Sequence, residues 1–157
     1  SHRLVKSPKL LLADTGLMAH LLGLNRQRLA LDGGLKGPLL ENFVVMELRK
    51  QAGWSATRPE VFHFRTQAGQ EVDVVLEDAA GTLVGIEVKA AATVGADDFK
   101  GLRALAADTG KKFRRGILLY TGAETIPFGP NLHAMPISTL WNTVAERKTG
   151  RSRRRGA

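Results

Sequence analysis

Cysteine is absent from the 157-residue chain. That excludes a disulfide scaffold, zinc ribbons, iron–sulfur clusters and a thiol nucleophile together. Long apolar runs are also missing: none approaches the ~18 residues that a bilayer-spanning helix needs. The first apolar stretch, Leu10 to Ala13, is broken by Asp14, so no secretory leader is recognised and a cytoplasmic location is expected. Histidine is sparse. His20, His63 and His133 have no metal-ligand spacing, and Ser1-His2 reads as a cloning scar. No G-x-x-x-x-G-K-[ST] phosphate loop occurs, so no ATP site is expected here, and no strand is followed by G-x-G-x-x-G. Ser7, Ser55 and Ser138 sit in no nucleophile-elbow context.

What is present describes a folded domain. The chain is 43% apolar and 24% charged, in the range of globular proteins, and its length suits one core with short arms. The net charge of +8 is uneven. Residues 146–157 (ERKTGRSRRRGA) carry +5, leaving +3 for the other 145. This tail is expected to be a disordered basic arm. It reads equally as a solubilising tail or as a contact for a polyanion, driven by counterion release.

The coarse pattern changes along the chain. Asp14 is placed to cap a helix through Leu22, closed by Gly23. Residues 25–37, rich in glycine and charge, read as a loop. Pro38 suits the first position of a helix ending at Gly53. Three alternating segments follow, Val61–Arg65, Glu71–Leu76 and Leu83–Lys89, separated by short turns that predict an antiparallel meander. A helix is expected from Asp97 to Ala107, then a buried strand from Gly116 to Tyr120. TGAETIPFGP reads as a loop, His133–Met135 as a short strand, and a last helix starts at Pro136 or Ile137 and runs to about Ala145. The order implies a mixed α/β sheet with helices packed on it.

The chemistry centres on IEVK, residues 86–89. Side chains alternate across a strand, so Glu87 and Lys89 share one face while Ile86 and Val88 enter the core on the other. A surface ion pair is the bland interpretation of such a segment. In EVDVVL, Val72, Val74 and Leu76 are expected on one face, and Glu71, Asp73 and Val75 on the other. Neighbouring strands lie ~4.8 Å apart, so a register placing Asp73 opposite Glu87 brings two carboxylates together. They repel unless a cation sits between them, and oxygen donors favour Mg²⁺ or Mn²⁺. The expected site holds that ion with Asp73, Glu87 and the backbone carbonyl of Val88. Lys89 would orient a water or stabilise charge on a phosphate. A register slip of one residue would turn Asp73 away. Glu41, at the border of the preceding helix's apolar face, is expected to reach the same metal, directly or through water. Its alternative role is to favour the helix N-terminus, and Glu47 is a rival on the same helix.

Candidate phosphate contacts are Arg65 and Lys100, with Arg103 beside the latter, and the cluster Lys111, Lys112, Arg114 and Arg115. Each has solvated charge as its alternative reading, and for Arg65, at a strand end, that alternative is favoured. Trp54 and Trp141 read as packing residues rather than base-stacking platforms.

A helical Glu41, a strand Asp73 and then Glu87-x-Lys89, in helix–strand–strand–strand–helix–strand order, resemble the PD-(D/E)XK nuclease superfamily over residues 38–121. A closer resemblance covers nearly the whole chain. LVKSPKLLLADTGLMAHLLGL, GPLLENFVVMEL, FHFRTQAGQEVDVVL, IEVKAA, FKGL and PISTLW are similar to the domain of unknown function found C-terminal to an AAA+ ATPase module in bacterial and archaeal proteins. The resemblance implies a restriction-endonuclease-like fold and an upstream ATPase. Residues 1–37 would then be an extension after that module, 38–145 the nuclease-like domain and 146–157 the tail. One departure is AAATVGADD after the E-x-K strand, which offers no early Ser, Gln or Lys to a phosphate. The expected function is Mg²⁺-dependent phosphodiester hydrolysis in DNA. The alternatives are an inactive module of the same fold that binds nucleic acid or a partner protein for the ATPase, and a docking domain in which Glu87 and Lys89 form an ion pair.

Overall fold

The computed structural model describes residues 9–31 and 33–141. The basic tail and residues 142–145 of the expected last helix lie outside the described residues. Helix α1 (Thr15–Leu21) starts where expected, because Asp14 accepts a hydrogen bond from the Leu17 N–H at 2.8 Å. Within the expected loop 25–37 the described residues form α2 (Arg26–Leu31) and the start of α3 (Gly33–Trp54). Asn25 caps α2 by accepting from the Arg28 N–H at 2.8 Å, a local signal masked by the surrounding glycine and charge. Pro38 therefore lies inside α3 instead of opening it. The missing N–H costs least near a helix start, where the preceding turn meets solvent.

Strands β1 (Glu60–Arg65), β2 (Glu71–Glu77) and β3 (Leu83–Lys89) form the meander. A 3-10 turn, Ala96–Phe99, leads into α4 (Lys100–Thr109), so the α-helix begins later than Asp97. A second 3-10 turn, Gly110–Lys112, precedes β4 (Phe113–Tyr120). The expected loop TGAETIPFGP contains β5 (Ile126–Gly129), and β6 is Leu132–Pro136. Pro127 argues against a strand in sequence, but β5 lies at the sheet edge, where a missing N–H disturbs no inner ladder. Within the described residues the expected last helix is one 3-10 turn, Ile137–Leu140.

The fold is mixed α/β. Six strands run in the order β1-β2-β3-β4-β6-β5. β4 is parallel to β3 and to β6, and the other pairs are antiparallel. Each face of the sheet has its own core. Val44, Val45 and Leu48 of α3 pack with Val74, Ile86 and Leu119. Leu102 and Leu105 of α4 pack with Phe99, Val72, Val75, Leu83 and Leu118. Gly101, in FKGL, permits the close approach of α4: a Cβ there would lie 1.8 Å from the Glu71 carbonyl oxygen.

The expected alternation of β2 breaks at one point. Phe62 pairs with Val75 and Phe64 with Val72, so His63 alone faces Asp73 and Val74. This is a β-bulge, which inserts one residue and re-aims its neighbours. Val72 consequently shares the α4 side with Val75, whereas Val74 and Leu76 pack on the α3 side. Val72, Val74 and Leu76 do not share a face.

Candidate functional site

The bulge places Asp73 at one end of the β2–β3 ladder. The ladder pairs Leu76 with Val84 and Val74 with Ile86, and one step further brings Asp73 level with Glu87. There the side chain enters the hydrogen bonding of the sheet: Asp73 Oδ2 accepts from the Val88 backbone N–H at 2.9 Å. The Asp73 side chain is only 9% exposed.

Glu41 reaches the same place from α3, whose packing is set by the neighbouring Val44 and Val45. It does not meet Asp73 alone. Lys9, from the segment before α1, puts its Nζ 3.0 Å from Asp73 Oδ1 and against Glu41 Oε1. Asn42 explains why that segment is there. Its Oδ1 accepts from the Leu12 N–H at 2.9 Å, and its Nδ2 donates to the Leu12 carbonyl at 3.0 Å and to Thr15 Oγ1 at 2.8 Å. Asn42 is the buried polar residue of an otherwise apolar helix face. Leu11 adds an apolar anchor against the same core.

Electrostatics follow from this crowding. Burial pushes the Glu87 carboxyl up to about 8, repulsion by Asp73 adds to it, and the Asp73 amide and Lys9 only partly offset both. Glu87 Oε2 is buried with no hydrogen-bond partner. Burial likewise raises Glu41; contact with Lys9 opposes this, while Asp73 reinforces it. Burial works against the Lys9 ammonium, but Glu41 and Asp73 outweigh it and hold its pKa above the ordinary value.

Lys89 is not turned to these carboxylates. Its Nζ lies 2.7 Å from Asp98 Oδ1, and Asp98 Oδ2 accepts from the Gly95 N–H at 2.9 Å. The acidic stretch that offers nothing to a phosphate thus captures the lysine. Glu47 faces elsewhere: it accepts from Gln51 Nε2 at 3.1 Å and lies 3.9 Å from Lys50.

The candidate phosphate contacts are dispersed. Arg65 lies at the carboxylate end of the sheet, 2.9 Å from its cross-strand neighbour Glu71. Lys100 begins α4 and pairs with Asp97 at 3.1 Å; Arg103 is exposed on the same helix. Lys111, Lys112, Arg114 and Arg115 are exposed at the start of β4, where Phe113 pairs with Leu83. Glu87 pairs with Leu118, so the cluster sits about 15 Å away, at ~3.3 Å per residue. Trp54 is 71% exposed, against the expectation of packing. Trp141 does pack, its ring centroid 5.7 Å from that of Phe43.

The donor types fit a hard divalent ion: three carboxylates, one with an orphaned buried oxygen, and no sulfur or imidazole. The spacing does not. With Lys9 among them, no three His, Asp or Glu side chains of the described residues are gathered as ligands of one ion. Lys9 and Asn42 are site residues that no sequence motif marks. The buried Asn42 beside Glu41 was the one available signal, and nothing local marked Lys9.

Fold and site together define a mixed α/β domain with an acidic cluster at the carboxyl ends of β3 and β4. The chain belongs to the family DUF4143, a domain of unknown function, whose model matches residues 36–140. It is 31% identical over 139 residues to two uncharacterized proteins, Rv2008c of Mycobacterium tuberculosis and Mb2031c of Mycobacterium bovis. The match covers 88% of this chain but 29% of each relative. No solved structure matches the chain. Among the described residues, no helix is long and apolar enough to cross a membrane.

Proposed function

We propose that this domain is a metal-dependent nuclease of the PD-(D/E)XK type, hydrolysing phosphodiesters in DNA and working with an AAA+ ATPase in a longer protein. The observation that carries the reading is the meeting of Glu41, Asp73 and Glu87 at one sheet end, with Glu87 Oε2 buried and unpartnered. A buried carboxylate oxygen without a partner, as at Glu87 Oε2, is costly in a purely structural role. Its position supports the reading too, since open α/β sheets bind ligands beyond the carboxyl ends of their parallel strands.

Asp73, Glu87 and the Val88 carbonyl would hold Mg²⁺ or Mn²⁺, with Glu41 assisting. A bound ion supplies an activated water and neutralises charge on the phosphate. The chain's own contribution is to keep the carboxylates together: the bulge aims Asp73, the Val88 N–H fixes it, and α3 brings Glu41. The net charge of +8 favours a polyanionic substrate. One observation favours the rival reading, a non-catalytic module that binds nucleic acid or a partner protein: Lys89 is engaged by Asp98 rather than by the carboxylates.

The test is cleavage of labelled single-stranded, duplex and branched DNA with Mg²⁺ and Mn²⁺, comparing the wild type with Asp73→Ala and Lys89→Ala. Metal-dependent cutting that Asp73→Ala abolishes supports the nuclease. Absence of cutting, together with no Mn²⁺ binding by calorimetry, moves the assignment to the binding module.

A further inference from the structure

The acidic cluster contains a cation already, and it is part of the chain. Lys9 Nζ lies 3.0 Å from Asp73 Oδ1 and against Glu41 Oε1. The two carboxylates come from β2 and from α3, and the lysine joins them. Its approach is built in. Asn42, the residue after Glu41, clamps Leu12 through both its N–H and its carbonyl, and Leu11 is seated in the α3-side core. The lysine side chain is 31% exposed and Asn42 grips the Leu12 backbone rather than Lys9, so the ammonium can leave without breaking the Asn42 clamp. Lys89, the lysine of the E-x-K segment, is occupied by Asp98.

We infer that Lys9 is the resident cation of this site, and that a divalent ion binds by displacing its ammonium from Glu41 and Asp73. This rests on the metal-site reading above. It also accounts for the disagreement between donor type and spacing: with an ammonium bridging two of the carboxylates, the three have no reason to close around one point. Two cations competing for one pair of carboxylates cannot both have them. The apparent affinity for the ion is then lowered by the fraction of molecules in which Lys9 is in place.

The inference is tested by calorimetric titration of Mn²⁺ into this chain, into Lys9→Met and into Lys50→Met. Both variants lose one positive charge, but Lys50 lies beside Glu47, away from the cluster. Lys9→Met is expected to bind Mn²⁺ about tenfold more tightly than the wild type, and Lys50→Met to stay within about twofold. Equal or weaker binding by a folded Lys9→Met overturns the displacement. So does equal tightening in both variants, since long-range charge then explains it. A second measurement uses the wild type alone and does not depend on a variant folding. Acetylation of Lys9 by a limiting acylating reagent, read by mass spectrometry, should speed up several-fold on Mn²⁺ saturation, with Lys50 as the internal reference. An unchanged rate in a protein that binds Mn²⁺ overturns the inference while leaving the metal site standing. No Mn²⁺ binding by wild type or Lys9→Met overturns both.

Discussion

The two ends of the β3–β4 pair carry opposite charge and deal with it differently. At the carboxyl end, Glu41 and Asp73 are drawn out of water and depend on named partners, Lys9 and the Val88 N–H, while burial raises the pKa of Glu87 instead. At the other end, Lys111, Lys112, Arg114 and Arg115 stand exposed. Withdrawn charge must be answered by specific groups at fixed distances, whereas exposed charge is answered by water and salt. Chemical specificity therefore belongs to the first end. The second end offers at most a diffuse attraction for polyanions.

That contrast gives graded expectations. The largest concerns activity. Under the nuclease reading, Asp73→Ala should lower metal-dependent cleavage by about a hundredfold to a thousandfold, while Lys112→Ala leaves the rate at saturating DNA unchanged. Similar losses in the two variants would erase the distinction between the ends. The next concerns stability. Asp73→Ala strips Lys9 and the Val88 N–H of a partner and should cost about 2–3 kcal/mol in urea denaturation. Lys112→Ala should stay within about 0.5 kcal/mol. A harmless Asp73→Ala would mean that the cluster is not held as described.

The third expectation is a pH dependence confined to the acidic end. Folded Glu87 binds its proton more tightly, near pH 8, than the ordinary carboxyl near 4.5. Wild-type stability without metal should then fall as pH rises from 4.5 to 8, because the folded state holds a proton that the unfolded chain releases. Glu87→Gln removes that titration. It should flatten the slope and overtake the wild type at the alkaline end, and parallel pH profiles for the two proteins would refute it. The smallest effect belongs to the basic end. Lys111→Ala or Arg114→Ala should each reduce the salt dependence of DNA binding by about one counterion. An unchanged salt slope would remove this surface from the interface.

Much of the fold was legible because its signals are local. Alternation and turn residues marked β1, β2 and β3, and Asp14 marked the start of α1. The glycine-rich stretch 25–37 misled because glycine and charge are shared by loops and exposed helix starts. Asn25 settled the matter through one hydrogen bond. β5 was hidden by Pro127, whose cost depends on whether the strand is an edge, and that is a property of the whole sheet.

For the site, the sequence by itself determined which residue types were available and in what order: a helical glutamate, a strand aspartate and the Glu87-Val88-Lys89 segment. It also determined their approximate meeting place, since Asp73 and Glu87 lie on strands joined by a short turn. Tertiary structure alone decided the rest. The bulge opposite His63 chose the direction of Asp73, Asp98 took Lys89, and Glu41 rather than Glu47 reached the cluster. Lys9 arrived from 64 positions away along the chain. The reason is physical. Periodicity encodes which face a residue presents to its own element, whereas an ion pair across elements is set by packing, and packing leaves no local pattern to read.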